Sequence, residues 1–130
     1  MATLTPSLTL TSTDVTSDTL SFTVEDTLTI GHPLIGMSKT AVAVSGGTAS
    51  MLVPSGSGNQ YVYIKHTGFQ TDGTTATTNQ LTIELGGTVD LLRLSAGEFC
   101  FFTSKSSSTV EALSSSSQTI LVEYAYWTQA

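Results

Sequence analysis

The sequence predicts an all-β protein, an antiparallel β-sandwich or jelly-roll-like fold, and three observations predict it. Apolar residues alternate with polar ones at a period of two along most of the chain, and no window of useful length has the i, i+3, i+4 spacing of an amphipathic helix. Ser and Thr supply roughly a third of the residues, and Thr, Val, Ile, Tyr and Phe fit a pleated, half-buried surface. Gly- and Ser-rich turn signals recur at short intervals and divide the chain into about ten short runs, the punctuation of a two-sheet fold.

Leu4, Leu8 and Leu10 alternate with polar residues, and so do Leu20, Phe22 and Val24, then Leu28 and Ile30. Gly31-His32-Pro33 reads as a turn. Lys39–Ser45, Gly46-Gly47 and Ala49–Val53 read as a hairpin with a two-glycine turn. A loop over 54–59 leads into the strand Gln60–His66, with Tyr61 and Tyr63 on one face and Val62 and Ile64 on the other. Residues 67–79 form a polar loop whose tightest turn is Asp72-Gly73. A second two-glycine hairpin follows in Leu81–Leu85, Gly86-Gly87 and Thr88–Leu94. The strands Glu98–Thr103, Thr109–Leu113 and Thr119–Trp127 complete the chain, the last of them the longest and most apolar.

A chain of 130 residues has room for one self-sufficient core. Residues 19–130 are expected to form a single β-sandwich domain. Residues 1–18, poor in large apolar groups, are expected to form an extended N-terminal arm.

Charged residues make up 11% of the chain and the net charge is −6. Lys39, Lys65, Arg93 and Lys105 are scattered, so no basic patch exists to hold phosphates, and nucleic acid is not an expected partner. No apolar run approaches the length that crosses a membrane, and Met1-Ala2-Thr3-Leu4 lacks the charged and apolar regions of a signal peptide. Cys100 is the single cysteine, which excludes an intrachain disulfide and a zinc site built on several cysteines.

No catalytic residue, cofactor site or metal site is expected. His32 and His66 have no local nucleophile or orienting partner, and no Ser sits in an activating motif. Glu25 and Asp26 are adjacent and so point to opposite faces of a strand. Asp72-Gly73 lacks the spacing of a calcium loop. None of the Gly-rich stretches precedes a helix that could hold an anion. Cys100 lies between phenylalanines with no cation beside it, the setting of an inert thiol. Phe99-Cys100-Phe101-Phe102 and the last strand carry more apolar groups than one core can hide. Phe99, Phe101, Phe102, Tyr124, Tyr126 and Trp127 are therefore the candidate interface. Tyr124, Tyr126 and Trp127 could also stack sugar rings, and Tyr124 and Tyr126 share a face.

Three stretches carry a resemblance. Tyr61-Val-Tyr-Ile-Lys-His-Thr-Gly68, Leu94-Ser-Ala-Gly-Glu-Phe-Cys-Phe-Phe102, and Val110-Glu-Ala-Leu113 with Thr119–Tyr126 resemble, in order and spacing, strands of small β-sandwich virion structural proteins of tailed bacteriophages, including cyanobacterial phages. The match spans residues 60–127; His66 departs from it, since Asn is usual there. Read physically, Gly97 permits the turn, Glu98 faces water, and Phe99 and Phe101 fill the core. The resemblance implies assembly in a virion after synthesis in the host cytoplasm. The expected function is a non-enzymatic capsid decoration (cement) protein, a homotrimer bound to the major capsid protein at local three-fold positions. A tail- or fibre-associated component and a carbohydrate-binding module are the alternatives. A Ser/Thr surface suits assembly, because ordering a long charged side chain at a contact costs up to ~2 kcal/mol.

Overall fold

Period-two alternation lets each run bury one face as a strand, and the runs become strands almost without exception. The computed structural model describes residues 2–15, 17–42 and 49–130, with backbone alone for 32–36. Among the described residues there are eleven strands and no helix. They are β1 (Ala2–Leu4), β2 (Ser7–Ser12), β3 (Leu20–Glu25), β4 (Leu28–Val42), β5 (Ser50–Val53), β6 (Gln60–His66), β7 (Leu81–Leu85), β8 (Val89–Leu94), β9 (Phe99–Ser104), β10 (Val110–Ser114) and β11 (Ile120–Gln129).

These form a five-stranded sheet in the order β1-β4-β11-β6-β9, a four-stranded sheet in the order β5-β10-β7-β8, and a separate ribbon of β2 and β3. Every pairing is antiparallel. The partners are nested along the chain: β7 with β8, β6 with β9, β5 with β10, and β4 with β11. The two larger sheets face each other as a β-sandwich. Val42, Val62, Ile64, Ile120 and Val122 from one side meet Leu52, Val53, Leu81, Ile83, Leu94, Val110 and Ala112 from the other. Burying each of the larger side chains is worth about 1.5–3 kcal/mol.

The Gly86-Gly87 hairpin forms as the sequence predicts, with φ of 63° and 68°. Two successive positive φ values make a turn whose twist matches that of the flanking strands, and glycine reaches them without strain.

Three local expectations are corrected. Gly31-His32-Pro33 is no turn: its backbone runs inside β4, which at 15 residues outruns the 10 of β11. The register slips three times between Tyr124 and Gln129, so Ile30–Ser38 of β4 is opposed by a shorter piece of β11. Bulges of this kind accommodate a proline, which cannot donate to the ladder. The His32 side chain lies outside the described residues. The hairpin read at Gly46-Gly47 is also absent as a pairing. Its turn lies outside the described residues, but β4 pairs with β1 and β11, and β5 pairs with β10. β4 and β5 therefore belong to different sheets.

At the N-terminus, β1 adds to the edge of the five-stranded sheet through Ala2↔Ile30 and Leu4↔Leu28. The ribbon β2–β3 then brings residues 7–25 together, and residue 18 lies in its connection.

Candidate interface: an aromatic sheet face and an amphipathic hairpin

Alternation on the five-stranded sheet sends one set of side chains into the sandwich and the other set outward. Val62 and Ile64 of β6 and Val122 of β11 are fully buried in the core, which fixes the phase of both strands. The register then places Trp127, Tyr61 and Thr103 in one outward row, Ala125, Tyr63 and Phe101 in the next, and Glu123, Lys65 and Phe99 in a third. Tyr61 and Phe101 stack with ring centroids 6.3 Å apart, and Tyr63 lies tilted against Phe99 at 6.5 Å. The outer surface of a sandwich ordinarily carries polar residues. Here it carries five aromatic rings on three adjacent strands, and Phe99 remains 57% exposed.

The ribbon supplies a second apolar surface. Leu8 opposes Val24 and Leu10 opposes Phe22, so all four lie on one face, while Thr9, Thr11, Ser21 and Thr23 line the other. The polar face is tied by the hydroxyls of Thr9 and Thr23, 3.2 Å apart. Each of the four apolar side chains keeps between 43% and 48% of its surface exposed. At the base of the ribbon, Leu8 and Val24 line a groove of about 610 Å³ together with Tyr61, Phe99 and Phe101, and Pro6 and Leu28 also line it.

The six residues expected to form an interface divide by face. Phe99, Phe101 and Trp127 lie outward; Phe102, Tyr124 and Tyr126 pack against the core. The expectation that Phe99 and Phe101 fill the core is therefore corrected: Cys100 and Phe102 do so, because the β9 register is set by Val62 and Ile64. Tyr124 and Tyr126 do share a face, but it is the inner one. Sequence reasoning missed Tyr63 and the four ribbon residues as surface groups, and the buried Tyr61 as part of the outward aromatic row. The ribbon was legible, since Leu8-Thr9-Leu10 and Phe22-Thr23-Val24 each present one apolar edge.

His66, Asp72 and Tyr63 are engaged locally. His66 is fully buried at the end of β6. Its Nδ1 accepts from the Gly68 backbone N–H at 2.9 Å, so Nε2 carries the proton and donates to the Asn79 carbonyl, also at 2.9 Å. Both ring nitrogens thus serve to pin the start and end of the 67–79 loop. The Thr75 hydroxyl and the backbone N–H groups of Thr75 and Thr74 hold the Asp72 carboxyl down to about 2. On the outer face, the Tyr63 hydroxyl sits above its usual value through burial and then through the Glu123 carboxylate to which it donates. Among the described residues no three of His, Cys, Asp and Glu gather as a metal site would require.

Burial pushes the Cys100 thiol up to about 11, against a minor opposing pull from the Ile64 backbone. The thiol form is the one the fold prefers. Its contribution to stability is complete below the unfolded value near 9 and is lost as pH rises through the folded value near 11. Alkylation of the native protein by iodoacetamide should therefore be slow at neutral pH and accelerate only as pH approaches 11, whereas unfolded chain should react from about pH 9 upward. Rapid labelling of native protein near pH 7 would contradict this.

Compared with known proteins, the chain matches no family model, no curated protein and no solved structure.

Proposed function

We propose that this chain is a non-enzymatic virion structural protein: a capsid decoration protein that binds as a homotrimer over local three-fold positions and stabilises contacts between capsid subunits. The observation that carries the proposal is the pair of apolar surfaces left half-exposed on a sandwich whose core is already closed. The groove between them is lined mainly by apolar groups, its polar side chains being Ser7, Asp26, Tyr61 and Thr103 beside the Cys100 thiol. Catalytic and small-ligand clefts need convergent polar groups to orient what they bind; a surface for assembly needs area and aromatic anchors. The nested pairing of β4 with β11 through β7 with β8 supports reading the sandwich as a jelly roll, one long hairpin rolled into two sheets, an architecture common among capsid proteins. The sequence resemblance over residues 60–127 supports the same reading. Of the three rings a carbohydrate platform would use, Tyr124 and Tyr126 point inward and Trp127 alone lies outward.

Electron microscopy of the phage particle encoded with this chain tests the proposal. Density fitting this sandwich is expected on the capsid at local three-fold positions. Density on the tail alone, or none on the particle together with a positive glycan array, would reject it. Phe99→Ser changes an exposed residue, so its melting temperature should match the wild type while particle occupancy falls about tenfold or more, the usual cost of losing an aromatic anchor.

A further inference from the structure

We infer that the self-association surface is an exchanged hairpin: the outer half of the β2–β3 ribbon of one copy docks in the groove of a second copy. Leu10 and Phe22 of the incoming ribbon lie between the Phe99 and Phe101 rings and the Leu8 and Val24 pair of the receiving chain. This rests on the homo-oligomer part of the proposed function and names the surfaces that make it.

Three observations select a second copy as occupant. First, Leu8 and Val24 line the groove of their own chain, whereas Leu10 and Phe22, one pair further out, do not line it and stay 44% exposed. A two-stranded ribbon has marginal stability in water unless its apolar face is covered. Each chain therefore carries both an uncovered apolar ribbon and an uncovered apolar groove, so identical copies satisfy one another. A giving and a receiving surface on one chain make a head-to-tail contact, which gives a ring such as a trimer when the rotation between copies closes and an open filament when it does not.

Second, the charges are complementary. Residues 7–26 hold Asp14, Asp18, Glu25 and Asp26 and no cation, although the whole chain has ten acids. The outer sheet face carries Lys39 and Lys65 on either side of Glu123, with Lys65 beside Phe99 at the groove. Among the described residues the single ion pair is Arg93 with Asp90, so neither lysine is paired within its own chain. An incoming ribbon brings the exposed Asp14 of its connection toward Lys65.

Third, the groove lining is mainly aromatic and aliphatic, with Leu8, Val24, Leu28, Phe99 and Phe101 among its side chains, which suits the apolar side chains of a strand ribbon.

The test uses the full chain. In a Cys100→Ser background, chains carrying Leu10→Cys are mixed with chains carrying Phe99→Cys and oxidised mildly. An interchain disulfide joining the two species is expected. A double-cysteine chain that closes on itself when dilute, with no interchain product when concentrated, would overturn the inference. In parallel, Leu10→Thr with Phe22→Thr keeps strand-compatible residues outside the core, so melting should be unchanged while self-association by sedimentation weakens about thirtyfold. Lys65→Glu should weaken association, and adding Asp14→Lys should restore part of it. Wild-type protein that sediments as a monomer at high micromolar concentration, or an oligomer indifferent to the ribbon substitutions, sinks the inference. A monomer that still decorates particles would sink it while leaving the capsid reading intact. Hairpin-dependent rings that never bind particles would do the reverse.

Discussion

Ile64→Ala should lower the free energy of unfolding by about 4 kcal/mol, toward the upper end of the range for aliphatic truncation in a core. Ile64 is fully buried at the middle of β6, between Tyr124 of β11 and Cys100 of β9, and its side chain projects toward the four-stranded sheet. Hydrogen-bonded strands on both sides hold the backbone in place, so neighbouring groups cannot collapse into the space and the cavity persists. Against a total of about 5–15 kcal/mol for a domain of this kind, the loss is large. Urea denaturation checks it: the midpoint should fall with an unchanged slope. The adjacent Lys65→Ala, on the outer face, should alter stability by no more than about 0.5 kcal/mol. Equal effects at the two positions would mean that the inward and outward faces have been assigned wrongly.

His66→Ala should cost about 3–5 kcal/mol. The change leaves the Gly68 N–H and the Asn79 carbonyl without the partners that the imidazole provides, and each orphaned buried group costs about 1–3 kcal/mol. A cavity at the end of the core adds to this. His66→Phe restores volume but neither hydrogen bond, so it should recover only part of the loss. Amide exchange offers a local readout, with the Gly68 N–H losing protection more than that of Ile64. The same variants bear on whether the histidine does chemistry. In a structural role, particle binding should follow the measured stability of each variant and nothing more. A His66 variant of full stability without function would reveal a chemical site.

Much of this fold could be read from short stretches. The strand Gln60–His66, the Gly86-Gly87 hairpin and the 67–79 loop with its Asp72-Gly73 turn all follow from local causes: side-chain alternation, glycine at positive φ, and an aspartate that caps its own turn. The errors share one origin. Gly46-Gly47 carries the same local signal as Gly86-Gly87, yet the strands beside it enter different sheets, because β4 and β5 each find partners from the far end of the chain. Gly31-His32-Pro33 looks like a break, yet pairing with β11 carries the strand through it by way of bulges.

The candidate interface was legible as a composition and not as a surface. Phe99-Cys100-Phe101-Phe102 is apolar at every position, so alternation alone leaves its phase undetermined. Pairing of β9 with β6 decides it, turning Cys100 and Phe102 inward and Phe99 and Phe101 outward. The same holds for the final strand, where Tyr124 and Tyr126 go to the core and Trp127 to the outside.

The sequence by itself determined what is local: strands and no amphipathic helix, the tight turns, and an acidic chain poor in cations. Only the tertiary structure decided which strands are neighbours, which face of each aromatic run meets water, and that the ribbon stands apart from both sheets. The physical reason is that backbone conformation depends on residues adjacent in the chain, whereas the face a strand buries is set by partners as remote as β4 and β11, whose pairing appears only when the whole core closes.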